Sequence, residues 1–481
     1  MRAGARGDGY LAWVLAVPLA GILVGSAAAD VNITSSVRVE TTLTDNDDFE
    51  PDGESDAIVS VRPAVSLTQL GGRSRTSLDY SLNTQYSARD SELDVIHDLD
   101  GFNNTEIVRN FFFVDVGAGI SQRVIDNRLG TPVRRSDDSN NLTPVQRYSI
   151  SPYIVNRWGS FATSQLRTRV GYVDSGEDEL DDETEYSVSG FLASGPDFSR
   201  FGWNLNGRYE VEDGGGDDER TTQNIRLDTS TAIDRSISLI AGVGYEKIDD
   251  EDFSEKIEGI TWEAGFDWHP GDKLSLIATY GKRFEEDNLF VDFNYDVTAR
   301  TSVFLNYRET VTTEQALLLN DLSFIGFDED GNLIDTRTGL PIDEDESLFG
   351  LTDRAFRREV FNAGIRVTRP RDRFSLTASH ETRDFETGLD DETVLGAEFD
   401  WSHDLSRSMR SSLGLAYDKI DFGGEDAGRK DNLYTFRATL SEEFAESVSG
   451  SVSYIFRTRE SNRSNEDATE NAVVVGFTKF F

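Results

Sequence analysis

The sequence predicts an all-β protein, a single transmembrane antiparallel up-and-down β-barrel of about 22 strands, within two strands either way. Three patterns predict this fold: apolar and polar residues alternate along the chain, very short connections alternate with longer acidic ones, and the chain ends on an alternating strand with a terminal aromatic residue. Successive side chains of a β-strand point to opposite faces, so only every second residue of a membrane barrel faces lipid.

The alternation is clearest in the second half of the chain. From 260 to 268 every second residue is apolar, namely Ile260, Trp262, Ala264, Phe266 and Trp268. The ranges 395–401 and 448–456 repeat the pattern. A soluble β-sandwich has the same period, so alternation alone does not separate a lipid-facing strand from one that faces a protein core.

The connections separate the two architectures. Short turns such as 269–272 and 369–372 alternate with longer acidic segments such as 174–184, 211–220 and 313–355. Outer-membrane barrels have short periplasmic turns and longer extracellular loops, whereas a sandwich has no reason to sort its connections by length. The pattern therefore favours the barrel.

The strand count depends on a turn at Arg109-Asn110. Without it, the segment 104–124 would be one strand that is too long and would place two long loops in succession. With it, the total becomes an even 22 and both ends of the chain lie in the periplasm, as is usual for bacterial single-chain barrels.

The N-terminus has the features of a secretory signal peptide. Arg2 and Arg6 precede an apolar stretch from Tyr10 to Val24, and Ala27-Ala28-Ala29 forms a small-residue cleavage site. We therefore expect residues 1–29 to be a signal peptide and residues 30–481 to form the barrel domain. The expected location is the outer membrane of a Gram-negative bacterium.

Composition excludes several function classes. The chain has 47 Lys and Arg against 88 Asp and Glu, a formal net charge of -41, which argues against nucleic acid as a partner. It has no Cys, so disulfides, thiolate metal sites and cysteine nucleophiles are excluded.

The terminal strand carries a candidate assembly signal. Val473, Val475, Phe477 and Phe481 share one face, and Gly476 lies on the other. A strand of this kind resembles the C-terminal signal of outer-membrane barrels, with Gly476, Phe477 and Phe481 as its residues and the barrel assembly machinery as the expected partner. We expect 471–481 to pair with the first strand, 31–43, and Phe481 to lie at the periplasmic lipid boundary.

The phase opposite Trp262, Phe399 and Tyr454 is predicted to line the lumen. Its charged members are Arg167, Arg169, Arg208, Arg226, Asp228, Glu263, Asp267, Arg308, Arg366, Glu398, Asp400 and Arg437. Two interpretations stay open: a solvated wall whose opposite charges pair across strands, or a pathway that selects a polar or acidic solute.

The connection 313–355 is the candidate gating loop. Its first part, 314–320, is predicted to be a short helical turn, and its apolar residues are Leu317, Leu318, Leu319, Phe324 and Phe327. The loop either folds into or over the lumen or packs on itself as an external cap. An N-terminal plug domain does not fit, because the first strand follows the predicted cleavage site almost at once.

The sequence predicts no enzyme, cofactor or metal site. Its four histidines, His97, His269, His380 and His403, form no motif with a nearby serine, and Gly-rich nucleotide loops are absent from the sequence. A hydrolase would require a Ser, a His and an acid to meet near the barrel rim.

Three segments resemble one known family. The segment 106–122, the loop 331–339 leading to 355–358, and the terminal strand are similar to the β-barrel porin type 2 family, outer-membrane proteins associated with exopolysaccharide and PEP-CTERM systems. The resemblance implies a porin-like conduit or assembly component near surface-polysaccharide export, and it supplies no catalytic residues. Outer-membrane lipid and lipopolysaccharide, with a polysaccharide or small polar solute, are the implied partners. The alternative is a structural surface barrel whose acidic loops bind partners or cations and whose lumen is closed by 313–355.

Overall fold

The computed structural model describes most of the chain. The described residues are 30–126, 141–174, 182–214, 219–250, 257–283, 286–323, 325–327, 333–335, 340–341, 348–350, 352, 354–385 and 391–481. The predicted signal peptide, residues 1–29, lies outside them.

Twenty-two antiparallel strands form one sheet. They are β1 (Asp30–Thr44), β2 (Asp56–Leu70), β3 (Ser74–Ser87), β4 (Leu93–Val108), β5 (Phe112–Val124), β6 (Leu142–Trp158), β7 (Ala162–Asp174), β8 (Glu183–Ser194), β9 (Phe201–Asp213), β10 (Glu219–Ala232), β11 (Ile237–Asp249), β12 (Ile257–Gly271), β13 (Leu274–Arg283), β14 (Glu286–Thr298), β15 (Thr301–Thr312), β19 (Phe356–Thr368), β20 (Asp372–Asp384), β21 (Glu392–Asp404), β22 (Met409–Asp421), β23 (Lys430–Ala445), β24 (Val448–Ser461) and β25 (Ala468–Phe480).

The connection between β15 and β19 has elements of its own. Helix α1 (Glu314–Ser323) comes first, followed by a small sheet of β16 (Ile325–Phe327), β17 (Leu333–Asp335) and β18 (Leu340–Pro341). Short 3-10 helices occupy Pro196–Phe198 and Gly424–Asp426. Among the described residues, no helix is both long and apolar enough to cross a membrane.

The sheet closes because its first and last strands pair. The β1–β25 ladder runs antiparallel from Ser36 opposite Phe480 to Thr44 opposite Ala472, and the Phe481 amide donates to the Ser35 carbonyl at 2.9 Å. Closure removes both edges of the sheet, so no row of backbone groups is left without a partner strand. The predicted closed barrel of 22 strands is confirmed.

The break between β4 and β5 falls where the sequence requires it. β4 ends at Val108 and β5 begins at Phe112. Asn110 has a φ of 55°, and the Phe111 amide donates to the Val108 carbonyl at 3.0 Å. Asparagine adopts this left-handed conformation more readily than most residues, so the chain reverses there without a glycine.

The two faces of the sheet differ in the way that the alternation predicts. Large apolar side chains are exposed on the outer face, as at Ile260, which is 70% exposed, and the inward residues on either side of it are polar or small. The buried residues Val145, Val173, Val394 and Ile420 lie on the inward face instead and pack against residues of the connection 313–355. They mark where loops enter the lumen.

The two ends of the barrel carry different connections. Both termini of the sheet lie at one end, which we call the short-turn end; its ten connections run from two residues, as at 272–273, to six, at 195–200. The opposite, long-loop end has eleven connections, among them 45–55 and 313–355. By sequence, the short-turn connections hold nine Lys and Arg against four Asp and Glu, and the long-loop connections hold nine against forty-one.

Candidate functional site in the barrel lumen

The predicted lumen residues lie on the inward face. Strand pairing puts directly opposed residues on the same side of a sheet, and most predicted positions alternate with exposed apolar neighbours such as Leu166, Leu227 and Leu395. This holds for Arg167, Arg169, Arg208, Arg226, Asp228, Glu263, Asp267, Arg308, Arg366, Glu398, Asp400 and Arg437. Their role in transport remains a prediction.

Several of these charges pair along one strand or across an intervening strand. Arg226 Nε donates to Asp228 Oδ1 at 2.6 Å, and its Nη2 also contacts Glu263 on β12. Arg167 Nη1 donates to Asp115 Oδ2 at 2.7 Å, and its guanidinium lies 3.9 Å from the centre of the Tyr153 ring. These contacts favour a wall of paired charges at this part of the barrel.

A denser charge cluster lies on β7, β8 and β9. Glu185 is almost completely buried and lies 3.6 Å from Arg169 Nη1 and 3.9 Å from Arg208 Nη2. Arg208 also forms a hydrogen bond with Glu210. Buried charges need partners of opposite sign, so Glu185 is held by both arginines.

Helix α1 packs on the inward wall. Leu318 and Leu319 form a buried cluster with Val145 of β6 and Val173 of β7. Arg169 donates a hydrogen bond to the Leu319 carbonyl. Because Val145, Val173 and Arg169 face the lumen, the helix lies inside the mouth of the barrel and not above it.

Arg383 of β20 ties the start of α1 to the other wall. Its side chain is 3% exposed, and its Nη1 donates to Glu314 Oε2 at 2.9 Å while its Nε donates to Glu381 Oε1 at 3.2 Å. Its guanidinium lies between two rings, 4.0 Å from the centre of Phe349 and 4.5 Å from that of Phe356. Phe349 in turn packs on inward residues of β21 and β22.

Helix α1 therefore crosses the mouth. In the ladder of strands, β7 and β20 are separated by nine strands one way round and eleven the other, which places them on nearly opposite walls. The two contacts, at Glu314 and Leu319, lie about 7.5 Å apart along the helix. The long side chains of Arg169 and Arg383 complete the link between the two walls.

A second loop folds inward beside it. Phe49 of the connection 45–55 is buried with its ring 4.9 Å from the guanidinium of Arg457 and 5.5 Å from that of Arg459, both on the inward face of β24. Arg89 holds this loop from the next connection, through Asp47 Oδ1 at 2.5 Å. Hydrogen bonding to Asp90 and the charges of Asp47 and Asp48 raise the pKa of Arg89, so the contact persists at any physiological pH.

The short-turn end is open by comparison. A cavity of about 580 Å³ lies on the inward face of β1 and β21 to β25. Its lining is polar and charged and includes Arg38, Asp404, Arg410, Ser441, Ser451 and Thr478. The lumen is therefore narrow at the long-loop end and solvated at the other.

Arg366 and Asp400, two other predicted lumen residues, each contact a different neighbour. The Arg366 guanidinium lies 4.6 Å from the centre of the Phe304 ring, and Ser375 donates to Asp400 at 3.4 Å.

Of the candidate gating residues, Leu317 is half-buried on α1, while Phe324 and the side chain of Phe327 lie outside the described residues.

The residues of the candidate assembly signal lie at the short-turn end. Phe477 faces outward and stacks on Phe444, with ring centroids 6.4 Å apart. Gly476 faces inward, where a Cβ would come within 2.8 Å of Arg38 Nη2, so a larger residue there would displace the guanidinium. Phe481 is 74% exposed, and Lys479 Nζ lies 5.9 Å from the centre of its ring.

The fold brings a serine, a histidine and an acid together that the sequence leaves apart. Ser275 Oγ is 3.0 Å from His269 Nε2, and His269 Nδ1 contacts Asp267 Oδ1. His269 was expected in a turn but lies at the end of β12, because the strand continues through an irregularity in its register. Within the described part of the chain, no cluster of His, Asp and Glu could hold a metal ion.

Comparison with known proteins shows the fold. The sequence matches no protein-family model and no curated protein. Solved structures with a similar fold include the siderophore receptor PirA from Acinetobacter baumannii, at 8% identity and a TM-score of 0.53 over 95% of this chain and 81% of that one. The ferric-catecholate import receptor Fiu from E. coli K12 matches in its open form at 8% identity and a TM-score of 0.53 over 93% and 81%. At these identities the likeness concerns architecture, and this chain has the fold of an outer-membrane β-barrel.

Proposed function

We propose that this protein is an outer-membrane conduit for polar solutes whose lumen is gated at the long-loop end by α1. Its place is the outer membrane of a Gram-negative bacterium, with the exposed apolar face in lipid and lipopolysaccharide and with the barrel assembly machinery as its insertion partner. The observation that carries the proposal is the bridge from Arg383 through Glu314 and Leu319 to Arg169. It narrows a lumen whose wall is otherwise polar.

A polysaccharide is the cargo that we propose. The paired charges of the wall present both donors and acceptors with little net sign, as at Arg226, Asp228 and Glu263. Sugar hydroxyls hydrogen-bond to both kinds of group, so such a wall suits a neutral, hydroxyl-rich chain. The resemblance of 106–122 and of the terminal strand to exopolysaccharide-associated barrels supports the same cargo.

Conductance in planar bilayers tests the gate. We expect the wild type to conduct weakly and a variant lacking 317–345 to conduct strongly, because the helix no longer crosses the mouth. The double variant Leu318→Ser/Leu319→Ser should show an intermediate rise, since both residues lose their apolar contacts with Val145 and Val173. Leu317→Ser is the matched control, because Leu317 lies outside that cluster.

The cargo has a separate test on the open variant. Neutral oligosaccharides added to one chamber should reduce the current in a concentration-dependent way, and equal masses of polyethylene glycol should reduce it less. Equal block by both polymers would contradict a polysaccharide cargo but would remain consistent with the proposed conduit function.

A structural barrel is the alternative function. It is favoured by the burial of Arg383 and Phe49, which close the mouth from two sides. Under this alternative, the variant lacking 317–345 would be as closed as the wild type while remaining folded.

A further inference from the structure

A histidine on the lumen wall links a serine to a carboxylate near the short-turn end. Ser275 Oγ lies 3.0 Å from His269 Nε2, and His269 Nδ1 contacts Asp267 Oδ1. The two ring nitrogens thus have different partners, one a hydroxyl and the other an acid. This is the order of groups that activates a serine nucleophile.

The register of β12 and β13 creates the cluster. Pairing is regular up to Trp268 opposite Leu276 and then shifts before Gly271 opposite Leu274. Continued by one residue beyond Trp268, the regular register places His269 opposite Ser275. Asp267, two residues earlier on the same strand, faces inward and reaches the same ring.

The contacts define the tautomer and the roles. The negative charge of Asp267 beside His269 Nδ1 favours the proton on that nitrogen and leaves Nε2 to accept from Ser275, although Asp267 Oδ1 makes no hydrogen bond in the structure. Asn294 lies directly opposite Ser275 on β14, and its Nδ2 donates to Asp292 Oδ1 at 2.8 Å. Since directly opposed residues share a face of the sheet, the Asn294 amide is the candidate donor to an oxyanion that forms at Ser275.

We propose that Ser275, His269 and Asp267 hydrolyse carboxylic esters inside the lumen. Ser275 Oγ bonds to the ester carbonyl carbon while its proton passes to His269 Nε2, and Asn294 stabilises the oxyanion. The carbon–alkoxy bond then breaks, and the alcohol leaves with the proton from Nε2. Water attacks the acyl-serine, gives a proton to Nε2, and releases the carboxylic acid as Ser275 recovers its own proton.

The surroundings define the substrate class. The inward positions around the cluster are small or polar, namely Gly265, Thr279, Asp292 and Asn294, with Ile277 as the apolar exception. A long acyl chain has no apolar wall to lie against there, so the acyl group is short. His269 is 48% exposed, so a solute in the lumen reaches it directly.

A fluorophosphonate probe and p-nitrophenyl acetate test the proposal on the full-length barrel. We expect the wild type to be labelled at Ser275, as located by mass spectrometry of the modified peptide, and to hydrolyse the ester. Ser275→Ala should abolish labelling, His269→Gln should slow both reactions by about 100-fold, the lower range for loss of a general base, and Asp267→Asn should slow them less.

His403→Gln is the matched control. His403 Nδ1 contacts Asp372 Oδ1 at 2.8 Å, so the variant removes a comparable histidine–carboxylate pair elsewhere on the same rim. It should leave both reactions unchanged.

Labelling of the Ser275→Ala variant at the wild-type rate, or equal rates for His269→Gln and the wild type, would overturn the proposal. Heat-dependent gel mobility shows in each case that the barrel is folded. Conductance should be the same in Ser275→Ala and the wild type, so this result is independent of the conduit.

Discussion

Arg383 joins three parts of the chain that are far apart in sequence. It contacts Glu314 at the start of α1, Phe349 near the end of the same connection, and Phe356 at the start of β19. Removing one partner of a buried ion pair leaves the other charge without compensation, which is more damaging than losing a surface pair. A single side chain thus fixes both ends of the segment that crosses the lumen.

Replacement of Arg383 tests that role. Arg383→Met keeps most of the side-chain volume but leaves Glu314 buried without its partner, so we expect α1 to leave the wall. Conductance should rise towards that of the variant lacking 317–345, and trypsin should cleave within 313–355 more quickly. Arg366→Met is the control, because it removes an inward arginine that covers Phe304 and should change neither. Unchanged conductance in Arg383→Met would show that α1 is held without it.

Phe481 is the second residue whose removal has a defined outcome. Its amide donates to the Ser35 carbonyl at 2.9 Å, and its ring is exposed on the rim. Deleting Phe481 should lower the fraction of protein inserted in the outer membrane, as measured by heat-dependent gel mobility of membrane fractions. Phe481→Tyr should insert normally, because it keeps the hydrogen bond and the ring. Normal insertion of the deletion would contradict the assembly-signal prediction.

At the scale of elements, α1 depends on a glycine of the strand beneath it. A Cβ built on Gly171 of β7 would lie 2.9 Å from Leu319 Cδ1, closer than such atoms approach. Gly171→Val should therefore push α1 off the wall and raise the conductance. Gly414→Val is the control, since Gly414 also faces inward and its nearest neighbour would be 3.4 Å away. Equal conductance of the two variants would mean that α1 adjusts without leaving the mouth.

The strands were predictable because their physics is periodic. A side-chain period of two, combined with a membrane that forbids open edges, leaves few ways to divide the chain, and the Arg109-Asn110 turn follows from that constraint. The predicted first strand, 31–43, is β1 within one residue at each end. Which face each charge occupies follows from the same period.

The contacts inside the lumen were not predictable in this way. Arg383 and Glu314 are 69 residues apart, and their pairing depends on the path of the connection 313–355. The alternation of apolar and polar residues that predicts the strands does not predict the path of a loop. Phe49 has a φ of 54° and points inward from an acidic loop, where nothing in the pattern marks it as buried. The sequence places His269 in the turn 269–272 and so ends β12 too early, which hid the meeting of His269 with Ser275.

At the scale of the whole molecule, charge divides between the two ends. The long-loop connections carry thirty-two more acidic than basic side chains, counting forty-one against nine, and the short-turn connections carry five more basic than acidic, counting nine against four. A mouth lined by one sign of charge concentrates the opposite ion. Cations should therefore enter from the long-loop end more readily than anions.

Reversal potentials measure this preference. In the variant lacking 317–345, we expect K⁺ to be favoured over Cl⁻, and the preference should shrink as the Debye length falls from about 30 Å at 0.01 M salt to about 3 Å at 1 M. Asp52→Asn/Glu54→Gln removes two exposed charges of the 45–55 loop and should weaken the preference at low salt. A preference for Cl⁻, or no dependence on salt, would contradict the prediction.

The seam between the first and last strands also has a chemical test. Thr42 lies directly opposite Val474, and the chain has no native Cys. Oxidised Thr42→Cys/Val474→Cys should therefore form a disulfide that gives the heat-unfolded chain a faster gel mobility, reversed by a reductant. The offset pair Thr42→Cys/Gly476→Cys lies two residues out of register and should cross-link poorly.

The pairing of β1 with β25 would allow the chain to begin and end at another loop without changing the fold. Because Ser35 and Phe481 meet at one rim, a short peptide could join the termini, and new ends could be opened within 214–218 with every strand ladder kept. In such a circular permutant β25 would still pair with β1, but Phe481 would no longer be the last residue. The pairing of the last strand with β1 and its predicted role as a C-terminal assembly signal would then be separated in a single molecule.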